Sequence, residues 1–432
     1  MKTLSLYTQW FDKDGSWYLY NAQTNFFSEV SQELIDTLED REWDSIPDDV
    51  MNKLKEQHII EESSALYDYY NKMKIVFEAG CYNPTSFKLV IAPTTSCNFA
   101  CPYCFEPKKN VKTITDNVIE RLVDFLKKKE HLKDISIVWY GGEPLIAFNK
   151  IKQILERFES ENITVWSQSI ITNGYLLTPE ICEYFKNRNL SDIQITLDGN
   201  RDSHNSTRFL KHSGEGSFDV VFNNIITAVK ALPNSRINVR VNVNKNNYLD
   251  YADVVNLLRQ ELPGYENFSA YPGLIREETS DKRSLKCSSY KTSDIHDLYS
   301  KYANLGISFN LFPKRLYKGC MMQDANAYVV GPEGELYKCW NDVSDPSKVV
   351  GNIADEHPTN DTLLTNYMTL SSPFNEECKQ CKVFPICDGG CSLHRYRNNL
   401  EGCLYDVCSP YKDKNRLKDA LINGTMANAP KC

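Results

Sequence analysis

Long apolar runs are missing from this chain. Nowhere do about 18 apolar residues follow one another, as a membrane-spanning helix would need. The start, Met1-Lys2-Thr3-Leu4-Ser5-Leu6, has no apolar core of a secretory signal. Neither a membrane partner nor export is therefore expected. No long block of Lys and Arg is present, and the net charge is -8, which argues against nucleic acid as the main partner. Residues 275 to 319 carry no readable motif, only the charged stretch Arg276 to Lys286 and an isolated Cys287.

Cysteine, by contrast, is abundant. The 432 residues include fifteen of them, ten in groups with ligand-like spacing. The chain is too long for a small disulfide scaffold, and thiols that serve as ligands must stay reduced, so a cytoplasmic location is expected. Apolar content of 41% and charged content of 25% are ordinary for a globular chain. This length predicts two or three domains, each large enough to bury a core.

The densest chemistry lies in Thr95-Ser96-Cys97-Asn98-Phe99-Ala100-Cys101-Pro102-Tyr103-Cys104-Phe105-Glu106, on a loop leaving the apolar run Phe87 to Ala92. Cys97, Cys101 and Cys104 follow the spacing Cys-x3-Cys-x2-Cys. Three thiolates hold three corners of a four-iron cluster and leave the fourth iron open to a small molecule. Structural zinc is the competing reading, but it wants four ligands, and no fourth Cys or His lies nearby. This loop, with the aromatic Tyr103 before its third thiol, resembles the signature of the radical S-adenosylmethionine (SAM) enzymes. The resemblance implies a [4Fe–4S] cluster whose open iron is chelated by SAM, and a 5′-deoxyadenosyl radical that takes a hydrogen from the substrate.

Residues 1–80 read as a small separate unit. Trp17 to Tyr20 and Phe26 to Val30 flank a turn-rich join and predict a hairpin, and Ser31 caps a helix carrying Leu34, Ile35 and Leu38. A second helix is predicted over Pro47 to Gln57, and Ile59-Ile60 suggests a further strand. Strands and short helices in this order suggest a winged-helix-like module, with Trp10, Trp17 and Tyr20 in its core. Ahead of such a core it resembles the leader-recognition domains of enzymes that modify ribosomal peptides, which implies strand addition by an extended leader. The bland alternative is an extension that covers one end of the core.

Residues 81–275 alternate strand and helix. Strands are predicted at Phe87–Ala92, Ile135–Trp139, Ile163–Ile171, Asp192–Asp198, Arg236–Val243 and Phe268–Pro272, and a helix over Asp116 to Lys128. Six such repeats predict an α/β fold, a partial (β/α)6 TIM-like barrel, with ligands at the strand C-terminal ends. Gln194, Thr196 and Asp198, like Asn238, Arg240, Asn242 and Asn244, oppose apolar residues along their strands, which in a partial barrel turns them to the lumen. Gly141-Gly142-Glu143-Pro144 follows the second strand; its glycines let backbone approach a ligand, and Glu143 offers a carboxylate to an ammonium. By resemblance, this turn binds the SAM amino group, and Thr172-Asn173-Gly174 and Thr196-Leu197-Asp198-Gly199 close their strands as in the family. Arg208 is the candidate for the SAM carboxylate, its fork matching that group; a solvent-facing arginine is the alternative.

A second cysteine field comprises Cys320, then Gly334 and Cys339, then Cys378-x2-Cys381-x5-Cys387-x3-Cys391, and Cys408. It resembles the SPASM extension of radical-SAM enzymes, here 320–410, after a bridge over 276–319 and before a tail over 411–432. The resemblance implies two auxiliary [4Fe–4S] clusters, three clusters in all: Cys320, Cys339 and Cys391 on the first, Cys378, Cys381, Cys387 and Cys408 on the second. Where eight-cysteine members carry a further thiol ahead of Cys320, this chain has Lys314, leaving the first auxiliary cluster short of a ligand. Cys287 or Cys403 could fill it, or a substrate thiol. Zinc competes here too, since Cys-x2-Cys is also a zinc spacing.

The implied function is maturation of a ribosomal precursor peptide by an intramolecular crosslink, a thioether first and a carbon–carbon bond second, with a flavodoxin or ferredoxin as electron donor. The runner-up is a sulfatase-maturating oxidase. Those enzymes resemble one another in an Asp directly after the second auxiliary cysteine, where this chain has Trp340, with Asp342 further on. A metal-stapled binding protein without catalysis is the third reading. His204 and His394 read as surface or packing residues, Cys81 and Cys182 as buried or inert, and Cys432 as part of a loose tail.

Overall fold

The computed structural model describes residues 1–63, 68–104, 111–274, 294–307, 309–315, 319–387 and 389–428. Phe105, Glu106, Arg276 to Lys286, Cys287 and Cys432 lie outside the described residues. The chain forms two compact units, one of Met1–Tyr82, Thr292–Asp324 and Tyr367–Cys432, the other of Asn83–Lys291 and Ala325–Asn366.

The first unit begins with β1 (Lys2–Leu4), followed by the meander β2 (Thr8–Lys13), β3 (Ser16–Asn21) and β4 (Phe26–Val30). The predicted hairpin is β3 on β4, with Leu19 opposite Ser28. Ser31 caps α1 (Gln32–Asp40), its side chain accepting from Leu34 N. Then come α2 (Asp48–Glu56), β5 (Ile60–Glu62), which pairs back on β1, and α3 (Asp68–Cys81). Leu19, Ile35, Leu38, Met51, Leu54 and Ile59 form one apolar cluster, with Trp10 and Trp17 packed against it. Each such aliphatic side chain contributes about 1.5–3 kcal/mol by its burial.

The second unit is the α/β core. Its strands β6 (Ser86–Ile91), β7 (Asp134–Trp139), β8 (Val165–Thr172), β9 (Leu190–Leu197), β10 (Arg236–Val243) and β11 (Phe268–Leu274) lie side by side in chain order, all parallel. Between them run α4 (Asp116–Lys127), α5 (Phe148–Ser160), α6 (Pro179–Phe185), α7 (Arg201–Thr207), α8 (Phe218–Ala231) and α9 (Asp250–Glu261). Right-handed crossovers between strands laid down in one direction put every helix on the same face. That leaves the other face open, as in a partial barrel. The helix face is apolar: Ile193, Ile195 and Leu197 are buried, and a Cβ built on Gly174 would meet both Ile195 and Val221 of α8.

Three strands that the sequence reading did not place extend this sheet beyond β6. They are β12 (Ala327–Val330), parallel to β6, then β13 (Glu335–Tyr337) and β14 (Gly351–Asn352), both antiparallel. The signal was present: an apolar run followed by the turn Gly331-Pro332-Glu333-Gly334.

The first unit resumes with α10 (Ile295–Asn304); α11 (Asp361–Leu370), α12 (Glu376–Lys379), α13 (Ser392–Leu400) and α14 (Lys414–Asn428) follow the sheet extension. Tyr7, Phe11 and Tyr20 of the N-terminal module share an apolar cluster with Phe384 and with Leu417 and Leu421 of α14, and Cys378 and Cys381 pack against it. The module and much of the cysteine-rich segment thus share one core. Most of the stretch after 411 is α14, which buries Leu417, Ala420 and Leu421 completely. No helix among the described residues is long and apolar enough to cross a membrane.

Candidate active site at the C-terminal ends of the core strands

The thiol loop leaves β6 and is pinned from two sides. Thr95 N donates to Lys112 O at 2.9 Å on one side. On the other, Gly142 N donates to Thr94 O at 3.1 Å and Glu143 N to Ser96 O at 2.8 Å. A Cβ on Gly141 would stand 2.3 Å from Thr94 O, and one on Gly142 2.3 Å from Ser96 O. Gly141 also has φ +121, so a side chain there would be strained as well as obstructed. The expectation was that these glycines admit a ligand; in the structure the backbone they admit is that of the thiol loop.

Within the loop, Cys104 N donates to Cys101 O at 3.1 Å, closing a turn that sets the last two thiols together. Phe99 N donates to Cys97 Sγ at 3.4 Å, and Asn173 Nδ2 lies 3.9 Å from the same sulfur. Burial pushes the Cys101 thiol up to about 12, with Arg208 opposing and Asp198 and the neighbouring thiols reinforcing. Cys97 is raised in the same way, burial first. Among the described residues no three His, Cys, Asp or Glu side chains are set to hold a single metal ion. A four-iron cluster uses one thiolate per iron, so its ligands need not converge on one point.

Glu143 is fully buried. Its Oε1 accepts from Leu145 N at 3.0 Å and Thr172 Oγ1 at 2.8 Å, and its Oε2 from Asn173 N at 2.7 Å. Burial raises its pKa and these three donors pull it back. One carboxylate thus ties the end of β7 to the end of β8. It retains acceptor capacity on Oε2, since a carboxylate offers about four lone-pair sites.

Asp198, just past β9, is the centre of a second buried knot. Its Oδ2 accepts from the Tyr103 hydroxyl and from Thr207 Oγ1 at 2.8 Å; its Oδ1 accepts from Asn242 Nδ2 at 3.0 Å. Arg208 is buried rather than solvent-facing, with Nη1 3.1 Å from the Tyr103 hydroxyl and 3.8 Å from Asp198 Oδ1. Burial works against its charge, yet Tyr103 and Asp198 hold the guanidinium pKa above its ordinary value. Burial, then Asp198, raises Tyr103. Thr196 sits half-buried on the open face beside Arg240 of β10.

The structure therefore brings Cys97, Cys101, Tyr103, Gly141, Gly142, Glu143, Thr172, Asn173, Asp198 and Arg208 into one connected network, with Cys104 on the same loop. The sequence reading missed Thr207 and took His204 for a surface or packing residue. Thr207 bonds Asp198; His204 accepts from Asp198 N at 3.2 Å and meets Ser217 Oγ at 2.9 Å. Burial drops the His204 pKa to about 3, so it is a neutral packing residue. His394 is buried too, stacked on Tyr405 at 4.2 Å. The surface alternative fails for both.

In the first unit, burial first and then the neighbouring thiols Cys381 and Cys408 raise the pKa of Cys378 and of Cys387, and Cys387 adds to the rise at Cys378. Backbone N–H groups of Gly389 and Ser409 donate to Cys387. Lys412 Nζ stands 3.7 Å from Cys408 Sγ and Arg395 Nη2 4.0 Å from Cys378 Sγ. Cys320 borders a small cavity with Gln323, Ser371, Gly390 and Ser392, the last two flanking Cys391. Cys339 belongs to the other unit, at the end of β13. Trp340 after it stacks on Tyr140 at 5.8 Å, and Asp342 is buried.

A family model for the radical SAM superfamily matches residues 91–258, the stretch that carries the trio and both knots. Residues 91–258 thus carry a radical SAM domain. A cysteine-type anaerobic sulfatase-maturating enzyme of Clostridium novyi is 25% identical over 376 residues, 79% of this chain and 98% of that protein. The radical SAM cyclopropyl synthase TigE of Paramaledivibacter caminithermalis is 29% identical over 168 residues, 33% of this chain and 35% of TigE. Among solved structures, native anSMEcpe with AdoMet and the Cp18Cys peptide aligns at a TM-score of 0.58 with 22% identity, over 80% of this chain and all of that one. Streptococcus suis SuiB bound to S-adenosylmethionine aligns at 0.53 with 16% identity, over 94% and 97%. Together with the domain match, these similarities support a radical SAM enzyme of the SPASM-type maturase class.

Proposed function

We propose that this enzyme matures a peptide, installing an intramolecular crosslink in a ribosomally made precursor. A bound four-iron cluster with SAM supplies a 5′-deoxyadenosyl radical that takes a hydrogen from a side chain or α-carbon of the peptide. Cys97, Cys101 and Cys104 hold the cluster. Glu143 is a buried carboxylate that accepts from the neutral donors Leu145 N, Thr172 Oγ1 and Asn173 N, and the SAM ammonium is the cation that suits it, beside Gly141, Gly142, Thr172 and Asn173. Arg208, held by Tyr103 and Asp198, serves the SAM carboxylate, with Thr196 beside it. Cys320, Cys339 and Cys391, and Cys378, Cys381, Cys387 and Cys408, would hold two auxiliary clusters, which would supply an acceptor for the electron released as product forms. A flavodoxin or ferredoxin would be the electron donor.

The observation that carries this reading is the N-terminal module. Among the described residues its three-stranded sheet pairs β2 and β4 only with the central β3, so each outer strand has an edge for an extended peptide. Trp340 after Cys339 also supports it, because that position lacks the carboxylate of a sulfatase maturase.

Sulfatase maturation is the second reading, and a specific finding favours it: the Clostridium novyi relative is matched over 98% of its length. One experiment separates the two. The reconstituted enzyme, with SAM and dithionite, is given either a short cysteine-containing precursor encoded beside its gene or a cysteine peptide cut from a sulfatase. Crosslinking of the precursor shows as loss of two hydrogens without a new carbonyl. An aldehyde in the sulfatase peptide, trapped by a hydrazine, overturns the crosslinking assignment. Absence of 5′-deoxyadenosine in every case would leave neither.

A further inference from the structure

The open face of the core sheet holds an arginine that the site above does not use. We propose that Arg240 is a carboxylate anchor, gripping an acid group brought in by the substrate peptide or by SAM itself. The peptide arm rests on the peptide-maturase reading; the SAM arm does not.

Arg240 lies in the middle of β10, in register with Thr196 of β9 and Tyr271 of β11. Its neighbours Val239 and Val241 are fully buried on the helix side, so Arg240 projects to the open face. The side chain then runs toward the C-terminal end of the strand. Its Nε donates to Asn242 Oδ1 at 2.9 Å, and Asn242 passes the chain on to Asp198, which binds Tyr103 of the thiol loop. The guanidinium is thus two hydrogen-bonded residues away from that loop.

Room has been made for this arginine. A Cβ on Gly273 of β11 would stand 2.4 Å from Arg240 Nε and 2.8 Å from its Cγ, so any other residue there would displace the stem. Around it the open face is paved with polar groups that bond each other, Asp192 the one carboxylate among those named here. Asn238 donates to Asp192 at 3.1 Å, Ser269 to Asn238 at 2.8 Å, and the Tyr271 hydroxyl to Gln194 Oε1 at 2.7 Å.

No carboxylate among the described residues is in ion-pair contact with Arg240: Asp192 is engaged by Asn238, and Asp198 is reached only through Asn242. Among the described residues Arg240 makes one hydrogen bond, through Nε, and no ion pair. Arg208, by contrast, has Asp198 at 3.8 Å. Both terminal amines of Arg240 remain as parallel donors on a half-buried cation. A carboxylate is planar, carries the opposite charge and matches two parallel N–H groups. An amide or hydroxyl would satisfy the donors but leave the charge uncompensated.

The test compares wild type, Arg240→Gln and Arg240→Lys, each reconstituted with iron under nitrogen, with iron content and melting temperature as controls for folding. In one arm, SAM affinity is measured by equilibrium dialysis. In the other, immobilised holoenzyme is offered synthetic peptides paired as Asp against Asn and Glu against Gln at each position, and retention is weighed by mass spectrometry. If the carboxylate is the peptide's, wild type retains the acidic member about tenfold better, and Arg240→Gln removes the preference. If it is SAM's, Arg240→Gln weakens SAM about tenfold and leaves the peptide ratio alone. Arg240→Lys falls between in either arm, because it keeps the charge without the fork, and it replaces the Gln variant as the readout should that protein not fold. No acid preference in wild type together with unchanged SAM affinity in the folded variants overturns the proposal. Failure of the peptide-maturase reading looks different: no peptide is turned over, while the SAM arm still reads.

Discussion

Two sets of thiols in this enzyme are assembled in opposite ways. Cys97, Cys101 and Cys104 come from one loop, and backbone hydrogen bonds to Gly142 and Glu143 fix that loop, so neighbouring glycines do the work of a core. Cys378 and Cys381 pack on an apolar cluster that includes Tyr7, Tyr20 and Leu421 from both ends of the chain, and Cys387 and Cys408, from later turns, lie near enough to act on Cys378. The first set depends on local geometry and a polar network. The second depends on the packing of distant segments, with Arg395 and Lys412 against its sulfurs. A set of three on one loop leaves an iron open and suits chemistry, whereas a set of four suits a closed ligand sphere.

The sharpest way to break that contrast is to remove one thiol from each set. Cys97→Ala is expected to lower 5′-deoxyadenosine formation to the level without enzyme, measured by chromatography after adding SAM and dithionite. Cys378→Ala should keep SAM cleavage at the trio while losing iron and melting at a lower temperature. Equal loss of SAM cleavage in both would mean that the two sets are not independent.

The polar network of the core gives the next largest effect. Asp198→Ala leaves Arg208 a buried, uncompensated cation, and should cost about 3–5 kcal/mol in a denaturant titration. A change within 0.5 kcal/mol, the size usual for surface sites, would show that the knot is not what holds the thiol loop.

Gly142→Ala tests the close backbone approach directly, and about 1–3 kcal/mol of destabilisation is expected, with weaker iron retention. Gly80, inside α3, has nothing within 4 Å of a built Cβ, so Gly80→Ala should be neutral or gain about 0.5–1 kcal/mol.

Acid provides the smallest test. His204 titrates at about 3 in the folded chain because burial disfavours its cation. Unfolded, it binds a proton near pH 6.5, so between these values the unfolded state holds more protons. Stability should therefore fall as pH drops below 6.5, by about 1.4 kcal/mol at pH 5.5 from this residue. His204→Gln should flatten that slope, read from melting temperature against pH.

Much of the core was legible because its signals are local. Period-two alternation in Asp192–Asp198 and Arg236–Val243 marked strands whose apolar side had to meet helices, and β9 and β10 lie where that alternation put them. The trio was legible as spacing alone. Arg208 was not: whether it faced solvent or Asp198 depends on how α7 returns to the end of β9. The extension β12 to β14 was overlooked because β12, which ties it to the sheet, pairs with β6, far from it in sequence.

Sequence by itself determined the chemistry on offer: which strands are apolar on one face, where three thiols share a loop, and that glycines follow β7. Tertiary structure alone decided what those glycines are for, that Asp198 gathers Tyr103, Thr207, Asn242 and Arg208, and that the N-terminal module shares a core with α14. The physical reason is range. Backbone geometry and side-chain alternation act within a few residues, whereas burial and charge pairing depend on neighbours that only the folded chain supplies.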